Sequence, residues 1–158
     1  MLLVEDAEDI REALFELLSG LGHQLEVAAD GEQGVECALA NRPEVAVIDI
    51  GLPRIDGYEV ARRLRAALGS KIFLIALTGY GQPEDVARAR AAGFDQHLRK
   101  PMRLDQIARV VSTAGDDLGQ QEGVDRHHQR NQTGEHEAVL DDGAEDGRLV
   151  TNLARRGC

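Results

Sequence analysis

Five residues of this 158-residue sequence have types that do chemistry together: Glu5, Asp6, Asp49, Thr78 and Lys100. Each stands at the end of a short segment: Leu2-Leu3-Val4 before Glu5, Val45 to Ile48 before Asp49, Ile72 to Leu77 before Thr78, and Asp95 to Arg99 before Lys100-Pro101. Three carboxylates gathered in one place repel each other unless a cation intervenes, and an all-oxygen donor set with room for water favours Mg2+. A lysine and a hydroxyl beside such an ion form a site that receives a phosphoryl group. The five residues are far apart in sequence, so the chemistry depends on elements that bring their ends to one edge.

Apolar runs this short, separated by segments of helical period, read as buried parallel strands. Strands are expected at Leu2–Val4, Gln24–Ala28, Val45–Ile48, Ile72–Leu77 and Asp95–Leu98. After the first, Ile10, Ala13, Leu14, Leu17, Leu18 and Leu21 recur at helical spacing until Gly20 and Gly22 end the helix. Further helices are expected over Glu32–Asn41, Tyr58–Leu68, Glu84–Ala92 and Leu104–Ala114. Strict alternation with short connections implies right-handed crossovers. The expected fold is α/β, a flavodoxin-like doubly wound sheet of five parallel strands in the order 2-1-3-4-5 with five helices. Its switch point, between strands one and three, would set Glu5, Asp6 and Asp49 side by side at the carboxyl ends of the strands.

Residues 1–114 are thus expected to form one domain. Residues 115–158 are rich in Gly, Asp, Gln and His without a sustained apolar period, and are expected to be a polar, low-order C-terminal tail. Within it, Leu149, Val150 and Leu153 hint at a short helix, and His127, His128 and His136 read as a solvated tract.

Composition limits the partners. Hydrophobic residues make up 42% and aromatics only 3%, so the core must be aliphatic. A net charge of −10 argues against nucleic acid. No apolar run approaches the roughly 18 residues of a membrane span, so no membrane association and a cytoplasmic location are expected. Cys37 reads as a small helix residue and Cys158 as an exposed thiol, with no disulfide framework.

In order and spacing, Leu3-Val4-Glu5-Asp6, Val47-Ile48-Asp49-Ile50-Gly51-Leu52-Pro53-Arg54-Ile55-Asp56-Gly57, Ala76-Leu77-Thr78-Gly79 and Lys100-Pro101 resemble the receiver domain of two-component response regulators. The resemblance covers residues 1–114. It implies that Asp49 accepts a phosphoryl group from a histidine kinase or a histidine phosphotransfer protein. It further implies that Asp6 and Asp49 hold Mg2+ with the Gly51 carbonyl while Glu5 acts through water. Lys100 would pair with the phosphoryl oxygens, Thr78 would donate its hydroxyl to them, and Gly79 would leave them room. Thr78 and His97, which stands where the family carries an aromatic residue, would be the switch pair. The face of helix four, strand five and helix five would report the change to an unspecified protein target, with a homodimer through that face a further expectation. Gly51 and Tyr80 occupy positions that tune water access to the phosphoryl group.

The resemblance implies a phosphoryl acceptor and switch, not an enzyme acting on external substrates. An alternative is a receiver fragment of a hybrid sensor kinase or chemotaxis-type enzyme. A weaker one is an aspartate-nucleophile phosphatase, which wants a second carboxylate two residues after its nucleophile, where this sequence has Gly51. A nucleotide-binding flavodoxin-like domain fits less well, since Glu5-Asp6-Ala7-Glu8-Asp9 is acidic and lacks glycines that would cradle a phosphate.

Overall fold

In a computed structural model that describes residues 1–79, 81–125 and 156–157, the described residues form a parallel sheet with helices on both faces. The elements are β1 (Leu2–Val4), α1 (Glu8–Gly20), β2 (Glu26–Ala28), α2 (Gly31–Asn41), β3 (Val45–Asp49), α3 (Gly57–Leu68), a 3-10 turn (Gly69–Lys71), β4 (Phe73–Thr78), α4 (Pro83–Ala92), β5 (Gln96–Arg99), α5 (Leu104–Asp125) and β6 (Arg156–Gly157). Across the sheet the order is β5-β4-β3-β1-β2-β6. The five expected strands are therefore present in the expected order 2-1-3-4-5, every neighbouring pair parallel.

Alternate residues of each strand feed opposite faces, as a period of two demands. Leu2, Val4, Ala46, Ile48, Leu74 and Ala76 pack with Val60 and Leu64 of α3 and Ala38 of α2. Leu3, Val47, Ile75 and Leu77 pack on the other face with Leu14 and Leu18 of α1 and Ile107 and Val111 of α5. Because β1, β3 and β4 are buried on both faces, their sequences are unbroken apolar runs rather than alternating ones.

Local chemistry sets the helix starts and stops. The carboxylates of Asp30 and Asp56 accept from the backbone N–H of Gln33 and Glu59, both at 2.9 Å, capping α2 and α3. Pro83 opens α4, and Gly93 closes it at φ +107°, a left-handed conformation that glycine adopts without strain. The Arg88 guanidinium lies 4.4 Å from the centre of the Tyr58 ring and joins α4 to α3.

Arg65 of α3 makes a larger connection. Its guanidinium donates to the carbonyls of Gly69, Ile72 and Gly93 and to the Asp95 carboxylate, which also accepts from Leu74 N at 2.8 Å. One side chain thus ties the end of α3 to the starts of β4 and β5, at the amino edge of the sheet.

The structure differs from expectation in three places. Helix α5 runs on from Ala114 to Asp125. Ile107, Val111 and Ala114 dock its first turns, and backbone hydrogen bonding propagates a helix already nucleated without needing an apolar stripe. A sixth strand, β6, lies against the outer edge of β2. Cys37 is disulfide-bonded rather than simply a small helix residue. Tyr80, the three tail histidines, the Leu149–Leu153 stretch and Cys158 lie outside the described residues.

Candidate functional site

The parallel register brings four strand ends to one level. Val4 stands beside Ile48, Asp49 beside Leu77, and Thr78 beside Arg99. Backbone pairing continues past the strands: Glu5 N donates to Ala28 O at 3.1 Å, Ile50 N to Leu77 O at 2.9 Å, and Lys100 N to Thr78 O at 2.7 Å. These bonds place Glu5, Asp49, Thr78 and Lys100 on one carboxyl edge.

Three polar side chains are buried there: Glu5 is 1% exposed, Thr78 4% and Asp49 7%. Lys100 satisfies the acids. Its Nζ lies 2.8 Å from Glu5 Oε2 and 3.1 Å from Asp49 Oδ1. The other Glu5 oxygen accepts from Ala7 N at 3.2 Å, and Asp49 Oδ1 also accepts from Gly51 N at 3.3 Å. Asp6 is exposed, yet one oxygen from each of Glu5, Asp6 and Asp49 lies within 4.8 Å of the others.

The electrostatics follow from burial. Desolvation raises the Glu5 carboxyl above the ordinary glutamate value, its bond to Lys100 offsets part of that, and the Asp49 charge adds to it. Burial alone would lower the Lys100 ammonium, but contacts with Glu5 and Asp49 outweigh it and leave the lysine raised. Lys100 therefore stays charged beside two carboxylates.

The loop after β3 folds back under the site because residue 57 is glycine. A Cβ at Gly57 would press on the Asp49 carbonyl and come within 2.8 Å of Ile50 Cα, both backbone atoms that cannot rotate away. Gly57 N instead donates to Ile50 O at 3.0 Å. Arg54 takes a left-handed φ of +67° in this loop and pairs with Asp30 and Glu32 at the start of α2.

All five chemistry-bearing residues and Gly51 are thus together at the carboxyl edge. His97 is on β5 beside Ala76, half-buried, on the face it shares with Arg99. A Cβ at Gly79 would meet no described atom within 4 Å. Arg11 was not foreseen: its Nη1 donates to the carbonyls of Glu5 at 2.8 Å and Asp6 at 3.2 Å. Its only sequence signal is a basic residue one turn into a helix that follows an acidic pair.

A doubly wound α/β sheet with a buried acid–lysine cluster at its switch point defines the class of phosphoryl-accepting signalling domains. Residues 1–112 match the response regulator receiver domain, and the chain belongs to that family. It is 37% identical over 119 residues to the transcriptional regulatory protein AfsQ1 of Streptomyces coelicolor, a match covering 73% of this chain and 52% of that protein. Against the response regulator MprA of a Mycobacterium species it is 35% identical over 107 residues, covering 68% and 46% respectively. The chain thus spans about half the length of these relatives. Among solved structures, the chemotaxis protein CheY4 of Vibrio cholerae superposes with a TM-score of 0.68 at 26% identity over 72% of this chain and 95% of that one. The signal receiver domain of a diguanylate cyclase from Desulfovibrio desulfuricans superposes with a TM-score of 0.67 at 32% identity, over 76% and 95%. No helix among the described residues is long and apolar enough to cross a membrane.

Proposed function

We propose that this receiver accepts a phosphoryl group on Asp49 from a phosphohistidine of a histidine kinase or phosphotransfer protein, in the cytoplasm. The observation that carries the reading is the single ammonium of Lys100 held between Glu5 and Asp49, with Asp6 alongside. In the transfer, an Asp49 carboxylate oxygen attacks phosphorus and the P–N bond of the donor breaks. The bonding pair returns to the histidine nitrogen, which takes up a proton, and Asp49 becomes an acyl phosphate. Lys100 exchanges its Asp49 contact for a phosphoryl oxygen, and Thr78 turns its hydroxyl toward another.

The all-oxygen donors of Glu5, Asp6 and Asp49 fit Mg2+. Asp6, Asp49 and the Gly51 carbonyl would hold it directly, with Glu5 acting through water. When bound, the ion neutralises charge on the transferring group.

Thr78 and His97 form the switch pair in this reading, and the face of α4, β5 and α5 carries the change to a protein target or a second copy. The receiver unit is residues 1–114, with 115–158 an appendage. Gly51 stands where a phosphatase of external substrates needs a carboxylate, which favours a switch over an enzyme. Incubation with Mg2+ and a small-molecule phosphodonor should add one phosphoryl mass to the wild-type chain and none to Asp49→Asn. An adduct that persists in Asp49→Asn would overturn the assignment.

A further inference from the structure

Two of the three acids at the carboxyl edge are anchored through their side chains. Glu5 and Asp49 are buried, and the Lys100 ammonium holds them at 2.8 and 3.1 Å. Asp6 differs. It is exposed, and among the described residues its carboxylate joins no hydrogen bond or ion pair, although one of its oxygens lies within 4.8 Å of an oxygen of each of the other two acids. The place of this carboxylate is therefore set by the backbone that carries it.

That backbone lacks the fastening used elsewhere in the fold. α2 and α3 each begin on an aspartate that caps them, whereas α1 begins after Ala7, whose methyl has no acceptor and makes no cap bond. Two other bonds hold the connection from β1 to α1. Glu5 Oε1 accepts from Ala7 N at 3.2 Å, and Arg11 reaches back from the first turn of α1, its Nη1 donating to Glu5 O at 2.8 Å and to Asp6 O at 3.2 Å. These two carbonyls belong to the two peptide groups that flank the Asp6 Cα. Each peptide group is planar, so holding both carbonyls fixes both planes and, with them, the direction in which the Asp6 side chain leaves the backbone.

We infer that Arg11 is a positioning residue for Mg2+: by fixing the peptide groups on either side of Asp6, it aims the Asp6 carboxylate at the ion. The inference rests on the reading of Asp6 as a ligand of Mg2+ given above. Arg11 acts through Asp6 and needs no contact with the ion. As a bare charge it works the other way, since a guanidinium near a divalent cation repels it. Geometry and charge thus predict opposite signs when Arg11 is replaced, which makes the two separable.

The full chain should be titrated with magnesium chloride while its backbone amide resonances are followed by NMR, which reports the folded state and the affinity together. In the wild type the amides of residues 5–7 should shift and saturate, and Asp6→Asn should lose most of the affinity. No saturable shift in the wild type, or wild-type affinity in Asp6→Asn, would sink the metal reading and the inference with it. Arg11→Met keeps the apolar stem but removes the donors and the charge, and should raise the dissociation constant about tenfold. Arg11→Lys keeps the charge without the guanidinium and should fall between the two. Arg65→Ala, weakened at the opposite edge of the sheet, should bind Mg2+ as the wild type does, which separates loss of stability from loss of aim. Phosphoryl uptake in Arg11→Met should need correspondingly more Mg2+ to reach half its maximal rate, with the rate at saturating Mg2+ retained. Where the wild type binds and Asp6→Asn does not, equal or tighter binding by Arg11→Met, or by Arg11→Lys should the first not fold, would overturn the inference alone. So would a weakening that Arg65→Ala reproduces.

Discussion

Lys100 Nζ lies 2.8 Å from Glu5 Oε2, although β3 and β4 separate the strands that carry the two residues. The contact is made over the ends of the intervening strands, where Asp49 also accepts from the same ammonium at 3.1 Å. The pair is thus a direct product of four parallel strands ending at one level, and it holds two buried carboxylates together.

Removing the ammonium should leave those carboxylates uncompensated. Lys100→Ala is expected to lose about 2 kcal/mol of stability. Adding Glu5→Gln should recover part of it, because the second change removes one of the stranded charges. Urea unfolding of the two variants checks this, and equal midpoints would contradict it.

The pH dependence follows from the raised Glu5 carboxyl. A folded pKa above the unfolded one means that its stabilising contribution is present below the ordinary glutamate range and is lost as pH rises through the folded value. Melting temperature in metal-free buffer should therefore decline from mildly acid pH toward neutrality more steeply in the wild type than in Glu5→Gln. Lys100 is raised too, so its contribution is intact at neutral pH and disappears only as pH climbs through its folded value.

Gly57→Ala should damage the site through the backbone. The added methyl meets the Asp49 carbonyl and Ile50 Cα, so the β3–α3 loop must shift. A loss of about 2 kcal/mol is expected. Phosphoryl uptake from a small donor, read by intact mass, should also slow at a temperature where the variant is still folded. Uptake at the wild-type rate would show that the loop keeps its place.

Arg65→Ala should separate stability from function. Its guanidinium serves three carbonyls and the Asp95 carboxylate at the opposite edge of the sheet. Its loss is expected to cost about 3 kcal/mol, and Arg65→Lys should not restore it, because an ammonium cannot reproduce the fork. Phosphoryl uptake by the folded fraction should be unchanged. The two measurements together are urea midpoint and intact mass.

Much of this protein was legible in its sequence, because the signals were local. Leu2-Leu3-Val4 and Val45 to Ile48 read as buried strands since a strand covered on both faces must be apolar throughout. The first helix read from the recurrence of Ile10, Leu14, Leu17 and Leu18, with Gly20 and Gly22 to end it. The acids and Lys100 were legible by their places at the ends of those segments, since a strand order of 2-1-3-4-5 leaves one edge for them all.

Only the tertiary structure decided the rest. Which carboxylates share Lys100, and that Arg11 holds the carbonyls of Glu5 and Asp6, depend on side-chain directions that no periodicity encodes. Helix α5 outran its apolar stripe, because hydrogen bonding along a docked helix continues where burial stops. The pairing of β6 with β2 joins positions more than a hundred residues apart. Local patterns specify which residues form strands and helices; contacts that close such long loops are set by the folded sheet, which alone brings their ends together.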